Sequence, residues 1–219
     1  MWSSEVTNMI ITGIWETLYM TLVSTLVGYV IGLPMGIILT VSDKDGIKPN
    51  AVLYKILDVI ANIVRSVPFI ILLVLLIPFT RLVVGKSYGS TATIVPLVIA
   101  AAPYIARMVE SSLKEVDAGV IEAARSMGAS NFTIITKVML VEARTSLLVG
   151  ATITLGTILG YSAMSGAVGG GGLGAIAIRY GYTRWQTDIM IVTVILLIIL
   201  FQIFQTRAIL PIEKTGSIV

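Results

Sequence analysis

The chain has 219 residues, 56% hydrophobic and 12% charged, with a mean hydropathy of +0.97. Soluble domains carry about 25% charged residues, and folding at this size hides only about 70–75% of the surface, so a water-soluble fold is excluded. No cysteine or histidine is present, which excludes disulfides, thiolate chemistry, imidazole catalysis and the usual zinc sites. The net charge of +3 comes from basic residues scattered beside apolar segments, a pattern that does not call for nucleic acid.

Uncharged stretches define the expected spans of an all-α membrane protein. Thr17–Ser42 gives 26 residues, Ser87–Ala106 20, Thr145–Ile178 34 and Ile189–Thr206 18. Each reaches or approaches the roughly 20 residues that cross a bilayer at about 1.5 Å per residue. Ser66–Thr80 has only 15 and is extended back through Val59–Val64, leaving Arg65 to snorkel. Five transmembrane helices are expected, at approximately 17–41, 59–80, 87–108, 145–165 and 188–206. Pro34 with Gly28, Gly32 and Gly36 bends or closely packs the first; Pro96 and Pro103 kink the third. The six glycines of Gly166–Gly174 favour a loop that ends the fourth. Residues 1–13 hold Glu5 and no Lys or Arg, so the first span is expected to stay in the mature chain rather than leave as a signal peptide.

Basic residues set the orientation. Lys44, Lys48, Lys55, Arg65, Arg107, Lys114, Arg125, Lys137, Arg144, Arg207 and Lys214 fall on one side; Arg81, Lys86, Arg179 and Arg184 fall on the other. The richer side is cytoplasmic, which puts the N-terminus outside and the C-terminus inside. Glu16 is read as interfacial, with no partner in sequence. Asp58 is expected to pair locally with Lys55 and Asn62.

The longest cytoplasmic insert, between Arg107 and Arg144, reads as two short helices. Asp117 caps a helix through Met127, Gly128 ends it in the left-handed conformation, and Ser130 caps a second helix over 131–140. Phe132, Ile135 and Met139 share the apolar face of that second helix. Such an element either docks on a soluble partner or lies against lipid and its own bundle, with Glu122 and Arg125 as a surface pair.

Glu122-Ala123-Ala124-Arg125-Ser126-Met127-Gly128-Ala129, with Ile135 and Leu140 downstream, resembles the EAA loop of bacterial type I ABC importer permeases. Arg65-Ser66-Val67-Pro68-Phe69, Ala101-Ala102-Pro103-Tyr104 through Glu110, and Gly160-Tyr161-Ser162-Ala163-Met164 are similar to the methionine-uptake branch, as are the glycine run and the span count. The family loop usually ends Leu-Pro, whereas this chain has Leu140-Val141, so its second helix is expected to run on through Glu142.

The resemblance implies a homodimer in the bacterial cytoplasmic (inner) membrane. It also implies two ATPase subunits that bind ATP and Mg, and an extracytoplasmic binding protein that delivers methionine. A loop over 117–141 would couple to the ATPase through Glu122, Ala123, Ala124, Arg125, Met127, Gly128, Ala129, Phe132 and Leu140. Tyr161, Ser162, Met164 and Ser165 are the expected substrate pathway, with small-residue helix packing as the competing role for that stretch. No catalytic residue, metal or cofactor is expected in this chain. Another amino acid or a small peptide is the alternative cargo. An ion-coupled carrier is disfavoured because the span cores lack ionisable groups, and a membrane enzyme because no paired carboxylates or activated nucleophile occur.

Overall fold

A computed structural model describes residues 4–216, with side chains for 4–206; Arg207 and Lys214 lie outside the side chains described. The described residues are helical, with no strand. In order they form α1 (Ser4–Ser42), α2 (Ala51–Ser66), α3 (Phe69–Leu75), α4 (Ile77–Val84), α5 (Ser90–Lys114) and α6 (Ala118–Ser126). Next come α7 (131–142), α8 (Arg144–Ser165), a 3-10 turn at Gly166–Val168, α9 (172–182) and α10 (Thr187–Gly216).

The first helix is apolar outward and mostly small or polar inward, as lipid solvent permits. On α1, Trp15, Leu22, Leu26 and Val30 are exposed, while Thr17, Thr21, Ser24, Gly28, Gly32 and Gly36 are buried. The buried threonine hydroxyls donate back to their own helix, Thr17 to the Gly13 carbonyl at 2.8 Å and Thr25 to that of Thr21 at 2.7 Å. Gly28, Gly32 and Gly36 bring α1 against the backbone of α5, the close approach that small residues at four-residue spacing permit. A Cβ on Gly32 would sit 2.6 Å from the Ala102 carbonyl oxygen, and one on Gly36 2.6 Å from that of Ala106. Gly160 has nothing within 4 Å of the equivalent position. Gly32→Val should therefore destabilise the bundle by about 1–3 kcal/mol or more, and Gly160→Ala should not. Thermal unfolding of the two purified variants in detergent checks this; equal midpoints would contradict the α1–α5 packing.

Four stretches are long and apolar enough to cross a membrane: Ser4–Ser42, Ser90–Lys114, Arg144–Tyr182 and Thr187–Thr206. A fifth arises if α2 and α3 count as one broken span, bent by 102°. The expected single helix over 59–80 is thus corrected. Pro68 lacks an N–H, and Val67 and Pro68 are extended (ψ 124° and 133°), so the helix stops at Ser66 and restarts at Phe69. Helix α5 continues through both Pro96 and Pro103.

The glycine run is more ordered than a loop. Gly169, Gly171 and Gly172 take positive φ (85°, 89° and 73°), so the chain reverses within three residues and α9 starts at once. Gly174 and Gly166 let α9 lie directly on the end of α8, where a Cβ would strike Ala163 and Ala175 backbone. Glu16, read as interfacial with no partner visible in sequence, accepts a hydrogen bond from the Gly172 N–H at 2.7 Å, and Thr17 Oγ1 accepts one from Leu173 N–H at 2.9 Å.

Candidate functional site

The segment between α5 and α8 builds a knob from local rules. Asp117 Oδ1 accepts from Gly119 N–H at 2.7 Å and starts α6. Gly128, at φ 82°, ends it, its N–H donating to Arg125 O at 2.9 Å while Ala129 N–H donates to Ala124 O at 3.1 Å. Ser130 Oγ accepts from Thr133 N–H at 3.2 Å and starts α7. That helix runs through Glu142, since Val141 stands where proline would stop it, and breaks only at Ala143 (φ −78°, ψ 1°).

Phe132, Ile135 and Met139, expected on one apolar face of α7, separate: exposed, half-buried and buried in turn. Ile134–Met139 is a π stretch, in which residues five apart share a face. Ile134 and Met139 are therefore buried, whereas Phe132 is 75% exposed. Ala124, Ile134 and Met139 join one hydrophobic core with Ile105, Val109 and Leu113 of α5. The knob is thus fastened to a long helix, not tethered by a flexible loop.

Its outer surface presents Glu122, Ala123, Met127 and Phe132, all exposed, with Met127 at 81%. Arg125 does not pair with Glu122: its Nη2 donates to the Ile47 carbonyl at 3.0 Å, fixing the knob to the α1–α2 connection. Between these parts lies a cleft of about 540 Å³ lined by Asp43, Lys114, Glu122 and Arg125. Ala129 and Leu140 are half-buried beneath the exposed tip.

Beside the knob sits a charge network that the sequence reading missed. Glu110, 6% exposed at its side chain, accepts from Arg107 Nη1 at 2.7 Å, Lys114 Nζ at 2.8 Å and Tyr54 OH at 3.3 Å. Lys114 also reaches Asp43 at 2.7 Å, and Arg107 reaches Asp58 and Asn62 on α2. Asp58 keeps Asn62 at 3.2 Å, but its ion partner is Arg107 rather than Lys55. The spacing Arg107, Glu110, Lys114 (i, i+3, i+7) was the available signal. The Lys114 hydrogen bond holds the Asp43 carboxyl below its ordinary range. A depressed carboxylate stabilises the fold at neutral pH, and that contribution is lost as pH falls through the lowered value.

The four expected pathway residues on α8 separate. Tyr161 is half-buried, its ring stacked on Phe69 at 4.4 Å and 4°. Met164 is 45% exposed, on a face with Ile153 and Gly160. Ser162 and Ser165 are buried behind that face, donating to Leu159 O at 2.8 Å and Ser162 O at 2.6 Å. Among the described residues no group of His, Cys, Asp and Glu is placed to hold a metal ion.

The knob is clamped to α5, a helix long and apolar enough to cross a membrane. The family model described as binding-protein-dependent transport system inner membrane component matches residues 28–209. The chain belongs to that family. As such a permease it is a multi-pass inner-membrane protein. It is similar to the probable D-methionine transport system permease protein MetI of Vibrio cholerae, at 49% identity over 94% of this chain and 91% of the relative. The D-methionine permease MetI of Escherichia coli is 53% identical over 72% of this chain and 73% of its own. A solved structure of the MetNI methionine ABC transporter in an inward facing conformation superposes with a TM-score of 0.95 at 49% identity, covering 97% of this permease and 99% of that chain. An amino acid ABC transporter at 21% identity and TM-score 0.79 shares the fold.

Proposed function

We propose that the chain is the membrane-spanning subunit of an ATP-driven methionine importer. The observation that carries this is the near-complete match, in sequence and in shape, to the permease chain of a methionine ABC transporter. The chain has no GxxxxGK[ST] loop, so the energy comes from a separate ATPase chain that binds ATP and Mg.

In this reading the subunit crosses the membrane five times, α2–α3 forming one broken span, with the N-terminus outside and the C-terminus in the cytoplasm. Two copies enclose one path, two ATPase subunits grip the knobs, an extracytoplasmic binding protein delivers methionine from outside, and lipid covers the outward apolar faces. Closing the ATPase dimer on ATP draws the two knobs together. Because Ala124, Ile134 and Met139 share a core with α5, the displacement reaches the spans as a rigid-body movement. ATP shifts the equilibrium only by binding the two states differently. Glu122, Ala123, Met127 and Phe132 form the gripped surface, while Arg125, Gly128, Ala129 and Leu140 set its shape. Tyr161 and Met164 line the path, and Ser162 and Ser165 brace the helix behind them.

Purified permease, ATPase and binding protein in vesicles should accumulate labelled methionine with ATP, and not with an ion gradient alone. Gradient-driven uptake without the ATPase would contradict the mechanism; ATP-driven uptake of only other amino acids or peptides would replace the cargo.

A further inference from the structure

The break between α2 and α3 is chemically unusual within a span. Arg65 stands in the last turn of α2, and neither a hydrogen bond nor an ion pair engages its guanidinium among the described residues; it lies 6.0 Å from the Tyr104 ring centre. A partly open cavity of about 170 Å³ is lined by Arg65 together with Val67, Phe69, Leu72, Tyr104 and Tyr161 of α8. At the break Val67 N–H bonds back to Val64 O at 3.3 Å, tightening the last turn of α2, a helix of 16 residues, while the Ile71 and Leu72 N–H groups share the Pro68 carbonyl at the start of α3.

We propose that this cavity is the seat of the amino acid in transit, with Arg65 as the residue that takes its α-carboxylate; the proposal rests on the importer reading above. A guanidinium presents a planar fork matched to a carboxylate, which a lysine ammonium does not reproduce. The α-ammonium meets the negative end of α2 and the aromatic faces. No carboxylate lines the cavity, so a cationic side chain would lie there unpaired. An acidic one would compete for the same arginine. What remains is an uncharged apolar side chain, and the stacked Phe69–Tyr161 pair offers ring edges to a thioether. At about 170 Å³ the cavity is well under the roughly 300–1,000 Å³ of a drug-sized site and on the scale of one amino acid. Secondary transporters build substrate sites where a spanning helix is interrupted, and α2–α3 has that form.

The absence of native cysteine makes the test direct. In the complete complex in vesicles, Val67→Cys is labelled with a small methanethiosulfonate, and the rate is followed by mass on this chain. Methionine should slow labelling and methioninamide should not. Adding Arg65→Gln should raise the protecting methionine concentration about tenfold or more, as loss of a charge-assisted pair implies. Arg65→Lys, which keeps the charge at the helix end, should fall between. Each variant should still copurify with the ATPase. A complex that transports methionine yet shows no protection, or equal protection in the Arg65→Gln variant, overturns the seat alone. A wild-type complex that moves no methionine overturns the importer reading and the seat with it.

Discussion

Gly128→Val should abolish most ATP-driven uptake while the permease still inserts and folds. The residue sits at φ 82°, and an added Cβ would meet nothing within 4 Å, so the penalty is conformational rather than steric. An L-residue in the left-handed region costs about 1–2 kcal/mol, more when β-branched, and asparagine tolerates it best. Relief comes by unwinding the α6–α7 corner, which moves Met127 away from Phe132 and spoils the gripped surface. Uptake should therefore rank glycine, asparagine, alanine, valine, measured with permease amount held equal. Equal uptake by Gly128→Asn and Gly128→Val would show that the left-handed corner does not matter.

The second large effect is expected at Glu110. Its carboxylate holds Arg107 of α5 to Tyr54 of α2 and balances Lys114, which also holds Asp43. Removing one member of a buried ion pair costs about 3–5 kcal/mol because the partner charge is stranded. Arg107 is 17% exposed and Lys114 41% at the side chain, so water relieves part of the cost and the lower end, about 3 kcal/mol, is expected for Glu110→Ala. Thermal unfolding of the purified permease reads it. Adding Arg107→Ala should cost less than the sum of the single changes, since the stranded charge goes with it. Strict additivity would contradict the network.

The local parts of this molecule were legible in the sequence, and the contacts through space were not. Asp117, Gly128 and Ser130 announce the knob because caps act over three or four residues. Gly28, Gly32 and Gly36 announce a close helix contact because their spacing is the helix's own. Glu16 gave no such sign: its partner Gly172 is 156 residues away, and only the fold brings them together. A 3.6-residue period groups Phe132, Ile135 and Met139 on one apolar face, but Ile134–Met139 is π, the repeat lengthens, and Met139 turns inward with Ile134 while Phe132 stays outside. Pro68 disfavours helix at Val67, a local sign of the break that the continuous apolar run over 59–80 hides. For the pathway, tyrosine and serine look alike as polar handles, but only the structure shows Ser162 turned inward while Met164 faces out.

The central claim is that the exposed tip of the knob is what the ATPase grips. In the naturally cysteine-free chain, Met127→Cys joined to a short photoactivatable crosslinker in native membranes tests it most directly. The account predicts an adduct with the ATPase subunit whose yield changes between nucleotide-free and ATP-bound states. Adducts with lipid alone, in every nucleotide state, would contradict it.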